Sequence, residues 1–517
     1  MYKIIKNSWA LFTGFSIIII SHGFQGNLLG IRSVIEDFNF IATGTMMSGY
    51  FIGFFVGANV IPKLVTKVGH IRVFAAFASM ASLSSLVHVV FVDPIVWVLA
   101  RFLTGFSMIG IFVIVESWLN DRANNKTRGK VLSLYMLITY VGMALGNLLL
   151  NISSPQNYEP FILISLLFSI ALVPILLTKR KPPKFKKTSS INIKELFKIS
   201  PFGTISMFCT GFIFAPIFTL LSVYAVTMKL SIFETSLLLV GVMLAGALFQ
   251  WPIGSISDKY DRRIIIIVSS LAACFFSIMA IFVSGAGASL PNLFLETTVS
   301  FNYFSTVMDK TKLFLFIILL AGVTLPLFSL NLALVNDQIP KEKFVAAGGG
   351  LNIIFGLGAI AGPIICSSFM KILGPNGFFV HLIIFLIAII AFGFYRLSQR
   401  QYEENSESTF TPLPTSITPL GIELDPDTEI INTIGAKEGF SHLMWALLAP
   451  GDACLVPAPS YPIHIFGPLF TGANVREVPL TTGEDFFDSL VERFEYSWPR
   501  PRVIVLSFPH NPTTTCV

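Results

Sequence analysis

WPIGSISDKYDRRIIIIVSSLAACFFSIMAIFV, residues 251–283, decides the fold class. It closes one apolar run, turns through the charged stretch GSISDKYDRR (254–263) and opens a second run of about twenty apolar residues, the length that crosses a bilayer. A soluble helix keeps a polar face. The run from 264 to 283 has only serines for polarity, so every side of it suits lipid, and its backbone must be satisfied within the helix.

Working outward, runs of this kind recur near 9–30, 42–63, 72–92, 95–118, 130–152, 159–178, 201–225, 235–255, 263–285, 312–335, 345–370 and 377–397, which makes twelve. The whole 517-residue composition agrees: 54% hydrophobic, 12% charged and 50 Phe, against about a quarter charged in soluble domains. The net charge of +6 sits between apolar runs, so it reads as topology-setting charge and not as a nucleic-acid footprint. The five Cys, at 209, 274, 366, 454 and 516, make neither a CxxC pair nor a metal-ligand spacing, and imply no disulfide framework. Lys3 and Lys6 before an apolar run resemble a signal peptide, but no small-residue cleavage site follows, so the run reads as a retained first span.

Charge then gives orientation. Most of the 35 Lys and Arg fall at the N-terminus, in the even-to-odd loops and after the last span; the opposite loops hold Arg32, Lys229, Lys310, Lys312 and Lys371. Both ends of the membrane region are therefore expected in the cytoplasm. The basic run KRKPPKFKK (179–187) separates two sets of six spans. The expected organisation is a first half over 1–178, a basic linker over 179–200, a second half over 201–400, a polar linker over 401–420 and a soluble segment over 421–517.

The halves repeat. An offset of 192 pairs Gly49 with Gly241 and Lys67 with Lys259, laying VTKVGHIR (65–72) over SDKYDRR (257–263). Further on the offset is 216, pairing Asn120 and Asp121 with Asn336 and Asp337, and Gly142 and Gly146 with Gly358 and Gly362. The change falls at an extra outer loop, 285–310, in the second half. A duplicated six-helix unit is a sign of secondary transporters, whose substrate site lies between the repeats.

On these residues the chain resembles the major facilitator superfamily. GSISDKYDRR is similar to the superfamily's loop G-x-x-x-D-x-x-G-R-R, with Gly254, Asp258, Arg262 and Arg263 in place and Asp261 where the second Gly stands. The first-half copy keeps Gly69 and Arg72 but has Thr66 for the Asp. The resemblance implies that this loop ties helices on the cytoplasmic side and helps hold one gated state. Arg101 and Gly105, in ARFLTGFSMIG, match the span-4 motif R-x-x-x-G; the family role is helix packing and proton movement around the cavity, and the alternative is a side chain reaching to the outer interface. ESWLNDRANNKTRGK (116–130), with Glu116 and Asp121, and GHIRVFA (69–75) resemble one bacterial subgroup. Glu116, inside a span, is read as a structural partner of a loop Arg or else as a proton carrier.

In the superfamily, spans 1, 4, 7 and 10 line the cavity. Span 1 offers His22, Gln25 and Asn27; span 10 offers Ser329 and Asn331; spans 8 and 11 offer Gln250 and Asn352. This set, with Arg101, has little fixed charge and suits a neutral, zwitterionic or amphipathic solute. An imidazole's ordinary titration makes His22 a candidate proton carrier; the other reading of these polar groups is interhelical hydrogen bonding. The pairs Gly53/Gly57, Gly142/Gly146 and Gly358/Gly362 read as close helix contacts. Asn147 stands where the drug-antiporter motif has Pro, so antiport gains no support there.

After Arg400 the character changes. QYEENSESTFTPLPTSITP (401–419) is linker-like, and from about Gly421 strand-like and helix-like runs alternate. This segment resembles class I and II pyridoxal-phosphate aminotransferases. In GAKEG, Ala436 and Lys437 match phosphate-cradling positions, at a helix start whose N–H groups can hold an anion. Tyr461 in PAPSYP matches the aromatic stacked on the cofactor ring, and Asn511 in HNPT matches the amide on the ring hydroxyl. The family's ring-nitrogen Asp, Schiff-base Lys and carboxylate-binding Arg fall later than Val517. The resemblance therefore implies an incomplete α/β fragment without catalysis, joined somewhere between 405 and 425 by fusion or rearrangement of the reading frame.

The expectation is an all-α membrane protein of twelve transmembrane helices in two six-helix repeats, followed by an incomplete soluble α/β fragment. Its expected work is secondary transport of a small organic solute by alternating access, in a bacterial inner membrane. It is expected to act as a monomer, with protons as a candidate coupling ion and with no metal, cofactor or nucleic acid. The alternatives are a membrane-tethered aminotransferase and a non-transporting sensor on a transporter fold.

Overall fold

A computed structural model describes residues 2–122, 125–177, 193–285, 309–339, 344–399, 436–480 and 484–507. The basic run at 179–187, the extra outer loop at 286–308, the polar linker and Asn511 lie outside them. The chain divides into two compact units, Met1–Asp425 and Pro426–Val517.

Among the described residues of the first unit, twelve helices are long and apolar enough to cross a membrane. Spans 1 to 6 are Tyr2–Ile35, Phe40–Val68, His70–Val90, Pro94–Arg122, Asn125–Leu148 and the pair Glu159–Ile170 and Leu172–Leu176. Spans 7 to 12 are the pair Pro201–Thr219 and Leu221–Thr227, then Ile232–Ser257, Arg262–Val283, the pair Lys310–Thr324 and Leu327–Asn336, Phe344–Leu373 and Gly377–Gln399. Local chemistry sets many ends. Asn39 caps span 2 by accepting from the Ala42 N–H at 2.9 Å. Ser231 and Glu234 form a reciprocal capping box on span 8. Span 10 breaks at Pro326, which lacks an N–H and crowds the preceding turn. Span 7 breaks at Leu220, one turn after Pro216.

The repeat survives into packing. A Cβ on Gly53 or Gly105 would strike the backbone of Phe102 or Tyr50, so spans 2 and 4 touch main chain to main chain. Gly142 and Gly146 press on Ile19 and Ile20 of span 1; Gly358 and Gly362, their equivalents, press on Phe208 and Phe212 of span 7. Without an apolar driving force inside lipid, such close approach is what holds helices together.

The halves meet along spans 2 and 11 and along spans 5 and 8. Gly44 lies against Pro363 and Ser367, and Gly30 against Thr219 and Ser222. Asn151 donates to Ser236 at 2.9 Å, and Ser236 to the Asn147 carbonyl at 2.9 Å. Deeper in, a Cβ on Gly356 would stand 3.1 Å from Phe55, and Gln250 donates to the Tyr140 hydroxyl at 3.2 Å. These contacts run from the end opposite the Gly69 and Asp258 loops to about mid-depth, so the halves are closed at that opposite end.

The described residues of the second unit hold a three-stranded parallel sheet in the order β2-β1-β3, with β1 Ala453–Ala458, β2 Asn474–Pro479 and β3 Pro501–Ile504. Helices Ala436–Leu447, Pro462–Leu469 and Glu484–Glu495 alternate with the strands. Alternation along β1 sends Cys454 and Val456 to one core with Met444 and Leu448, and Leu455 to another with Val478, Phe486 and Leu490. Trp445, Phe470, Tyr496 and Trp498 remain more than half exposed.

Candidate functional site

The polar centre of the first half forms around Tyr50 of span 2. The His22 ring stacks on the Tyr50 ring at 5.2 Å between centroids and 27° between planes. Arg101 of span 4 places its guanidinium over the same ring at 4.9 Å. Arg101 lies seven residues into its helix, about 10 Å, yet is only 1% exposed; it points into the protein and not out to an interface. In the sequence Tyr50 carries no special signal, being one aromatic in an apolar run. Its role needs the pairing of spans 2 and 4, which the glycines at 53 and 105 announce.

This centre is not self-satisfied. Among the described residues, Nε and Nη1 of Arg101, both amide atoms of Gln25 and Nδ1 of His22 are buried without a hydrogen-bond partner. Buried polar groups are ordinarily paired. Beside them is room: a Cβ on Gly26 would meet nothing within 4 Å. Gly26 is one helical turn from His22 on the same face, and His22 is partly exposed. One turn further, Gly30 is closed off by Thr219 and Ser222. The open space thus lies below the closed end, near the middle of the Ser8–Ile35 span.

The other cavity candidates are placed differently. Asn27 donates to Asn147 of span 5 at 2.7 Å, and Gln250 to Tyr140 across the halves. Asn331 donates to Thr210 of span 7 at 3.0 Å. These three amides join helices. Ser329 is buried, while Asn352 is partly exposed. His22, Gln25 and Arg101 are the ones that the structure brings together.

At the loop end, Gly254 is buried, and Arg262 joins Asp258 at 3.0 Å to Asp337 at 2.9 Å, tying the span 8–9 turn to the end of span 10. Arg262 and Asp337 are each 5% exposed at the side chain, Asp258 33%. Arg263 pairs with Asp261, which also caps span 9. In the first half Gly69 turns the chain with φ +94°, a conformation that favours glycine. His70 stands in Arg262's place in the repeat and bonds Ser117 of span 4 at 3.0 Å. Arg72 is exposed. Glu116 accepts from the Tyr135 hydroxyl at 2.9 Å; the side chains of Asp121 and of the neighbouring loop arginines lie outside the described residues.

In the second unit, the helix Ala436–Leu447 starts at GAKEG as the phosphate-loop resemblance requires. Lys437 Nζ lies 5.3 Å from the Tyr461 ring centroid, and the phenol raises the lysine's pKa through a hydrogen bond and its charge. A helix start and one aromatic fit a phosphate and one face of a pyridoxal ring. Lys437 stands at the phosphate end and so is not placed to hold the ring covalently. Ala436's side chain and Asn511 lie outside the described residues. Burial pushes the Cys454 thiol up to about 11.

Comparison with known proteins divides the chain at the same place. Residues 416–517 match the family Aminotransferase class I and II. They are 54% identical over 96 residues to glutamate-pyruvate aminotransferase AlaC of Escherichia coli, covering 19% of this chain and 23% of that protein. The putative aminotransferase AatC of Rhizobium meliloti is 42% identical over 93 residues, 18% of this chain and 23% of its own length. The chain thus spans about a quarter of the length of these relatives. The membrane unit is 24% identical over 351 residues to the uncharacterized MFS-type transporter YcaD of Escherichia fergusonii, covering 68% of this chain and 84% of that one. Among solved structures, the nucleoside transporter NupG superposes with a TM-score of 0.59 at 14% identity, over 77% of this chain and 99% of that one. A bacterial homolog of the lysosomal transporter Spinster, in an inward-facing and occupied conformation, gives 0.60 at 12%, over 77% and 99%. These two likenesses are of fold. The Major Facilitator Superfamily profile matches residues 11–310, and with more than half of its length so matched this chain belongs to the major facilitator superfamily.

Proposed function

We propose that the protein is a secondary active transporter that moves a small organic solute by alternating access, through the space beside His22 and Gly26. The observation that carries this reading is the coincidence of open volume at Gly26 with the unpaired polar groups of His22, Gln25 and Arg101 at mid-membrane. Protein interiors are close-packed and pair most of their buried polar groups; unpaired groups occur elsewhere in this unit, Trp118 Nε1 and Thr235 Oγ1 among them, but here they adjoin open space.

In this reading the closed end is periplasmic, because the positive loops lie at the other, and both ends of the membrane unit face the cytoplasm of a bacterial inner membrane. The protein works as a monomer. The Arg262–Asp337 bridge, with Asp258 at its rim, holds the second half's cytoplasmic end, and Gly69, His70, Arg72, Glu116 and Asp121 serve the first half. His22 is the candidate coupling group if protons drive the cycle. The aminotransferase-like unit has no part in transport.

The test is uptake by proteoliposomes containing the full chain, against anionic, neutral, zwitterionic and cationic solutes, with and without a pH gradient. Accumulation of at least one solute above protein-free liposomes is expected. No movement of any solute under either condition would sink the transporter reading. His22→Gln keeping full pH-driven uptake would remove the proton role alone.

A further inference from the structure

The polar centre also carries information about charge. Arg101 is buried, and its Nε and Nη1 lack partners among the described residues. Of the carboxylates on its own helix, Asp93, eight residues before it, accepts from the Ile95 and Val96 N–H groups at the helix start, and Glu116, fifteen residues after it and about 22 Å away, bonds Tyr135. What faces Arg101 is the Tyr50 ring. A ring face offsets a cation only in part, and a charge buried at this depth is costly until it is paired. Gln25, fully buried, adds an amide without partners among the described residues, and His22, a partly exposed residue one turn from Gly26, adds a buried, unpartnered Nδ1.

The facing wall is of another kind. Spans 1 and 7 run in the same direction, and Gly30 is level with Thr219 and Ser222. One turn before Gly30 is Gly26, and the turn of span 7 that ends at Ser222 begins at Phe218. The Phe214 and Phe218 rings lie 5.8 Å apart, and Phe214 makes an edge contact with Phe355, also at 5.8 Å. Phe218 is partly exposed. One wall therefore carries a buried cation whose Nε and Nη1 lack partners among the described residues, with neutral donors, and the other carries the partly exposed Phe218 ring, packed on a fully buried Phe214.

We propose that the solute is a small amphipathic organic monoanion, its carboxylate or sulfonate paired with Arg101 and its apolar body laid against Phe218. A dianion would bring a second charge with no cation to meet it. An organic cation would be repelled. A neutral solute would leave the guanidinium unpaired. This assignment rests on the transporter reading and deepens it by naming the charge class.

The test uses the full chain and the probe benzenesulfonate, which stays anionic at every working pH and does not leak through lipid, with benzenesulfonamide as its neutral counterpart of similar shape. Equilibrium binding to purified protein is expected for the sulfonate and at least about tenfold weaker for the sulfonamide, the discrimination a charged hydrogen bond supplies. Arg101→Gln should remove the preference for the anion, while Arg101→Lys keeps part of it. If Arg101→Gln does not yield monodisperse protein, the comparison of the two probes on the unaltered chain decides. Equal or stronger binding of the sulfonamide, or an unchanged preference in Arg101→Gln, overturns the proposal. No benzenesulfonate binding, together with uptake of a neutral or cationic solute by proteoliposomes, overturns the anion assignment and leaves transport standing; no uptake of any solute overturns both.

Discussion

At the scale of single residues, burial decides which charges matter. Arg262 and Asp337 are both buried, so Asp337→Asn leaves a guanidinium short of its partner and should destabilise the membrane unit by about 3–5 kcal/mol. Asp258→Asn, at the partly exposed arm of the same Arg262, should cost about 1 kcal/mol or less. Thermal unfolding in one detergent, followed by tryptophan fluorescence, checks the order; equal losses would mean that the buried arm is not the stronger tie. The sequence marked Asp258 and Arg262 through the loop motif and Asp337 through the repeat, but not which pair is buried, since that depends on where span 10 ends relative to the turn. Arg101 shows the same division. Its charge inside a span was legible, whereas its place over Tyr50 is a tertiary fact.

At the scale of helices, the glycines separate packing from path. Gly105 and Gly146 lie against the main chain of a neighbouring helix, so Gly105→Leu or Gly146→Leu should abolish monodisperse expression. Gly26 faces open space. Gly26→Ala should leave yield and unfolding temperature within error, and Gly26→Trp should fold yet block uptake by filling the space. Uptake by Gly26→Trp equal to the unaltered chain would place the path elsewhere. The amide pair Asn27 and Asn147 should show a coupling of about 0.6 kcal/mol in a double-mutant cycle, the size of a joint between helices. From sequence, Asn27 and Gln25 were equal candidates for the cavity. They are two positions apart and so on different faces of span 1, which only its neighbours could assign. The spans themselves were legible because lipid demands apolar length everywhere. The breaks in spans 7 and 10 follow prolines, but Pro62, Pro252 and Pro363 sit inside unbroken helices.

At the scale of the whole molecule, two chemistries share one chain. The twelve spans form one core, while the aminotransferase-like unit has two small cores either side of three strands and several large apolar side chains in contact with solvent. A unit so built opens readily. In a Cys516→Ser protein, Cys454, buried and with its thiol pKa pushed up to about 11, should react slowly with Ellman's reagent at pH 8 in the folded unit and orders of magnitude faster in about 2 M urea; equal rates would show the unit open from the start. Deleting 426–517 should leave uptake unchanged. The central claim is that the space at Gly26 is a solute path opening toward the positive loops. Gly26→Cys in the full chain, with Cys516→Ser and a membrane-impermeant maleimide, tests it most directly. Inside-out vesicles should be labelled beyond the background of the same protein with Gly26 intact, whose remaining thiols are Cys209, Cys274, Cys366 and Cys454, and right-side-out vesicles should not; labelling no greater than that background from either side, or equal from both, would contradict the account.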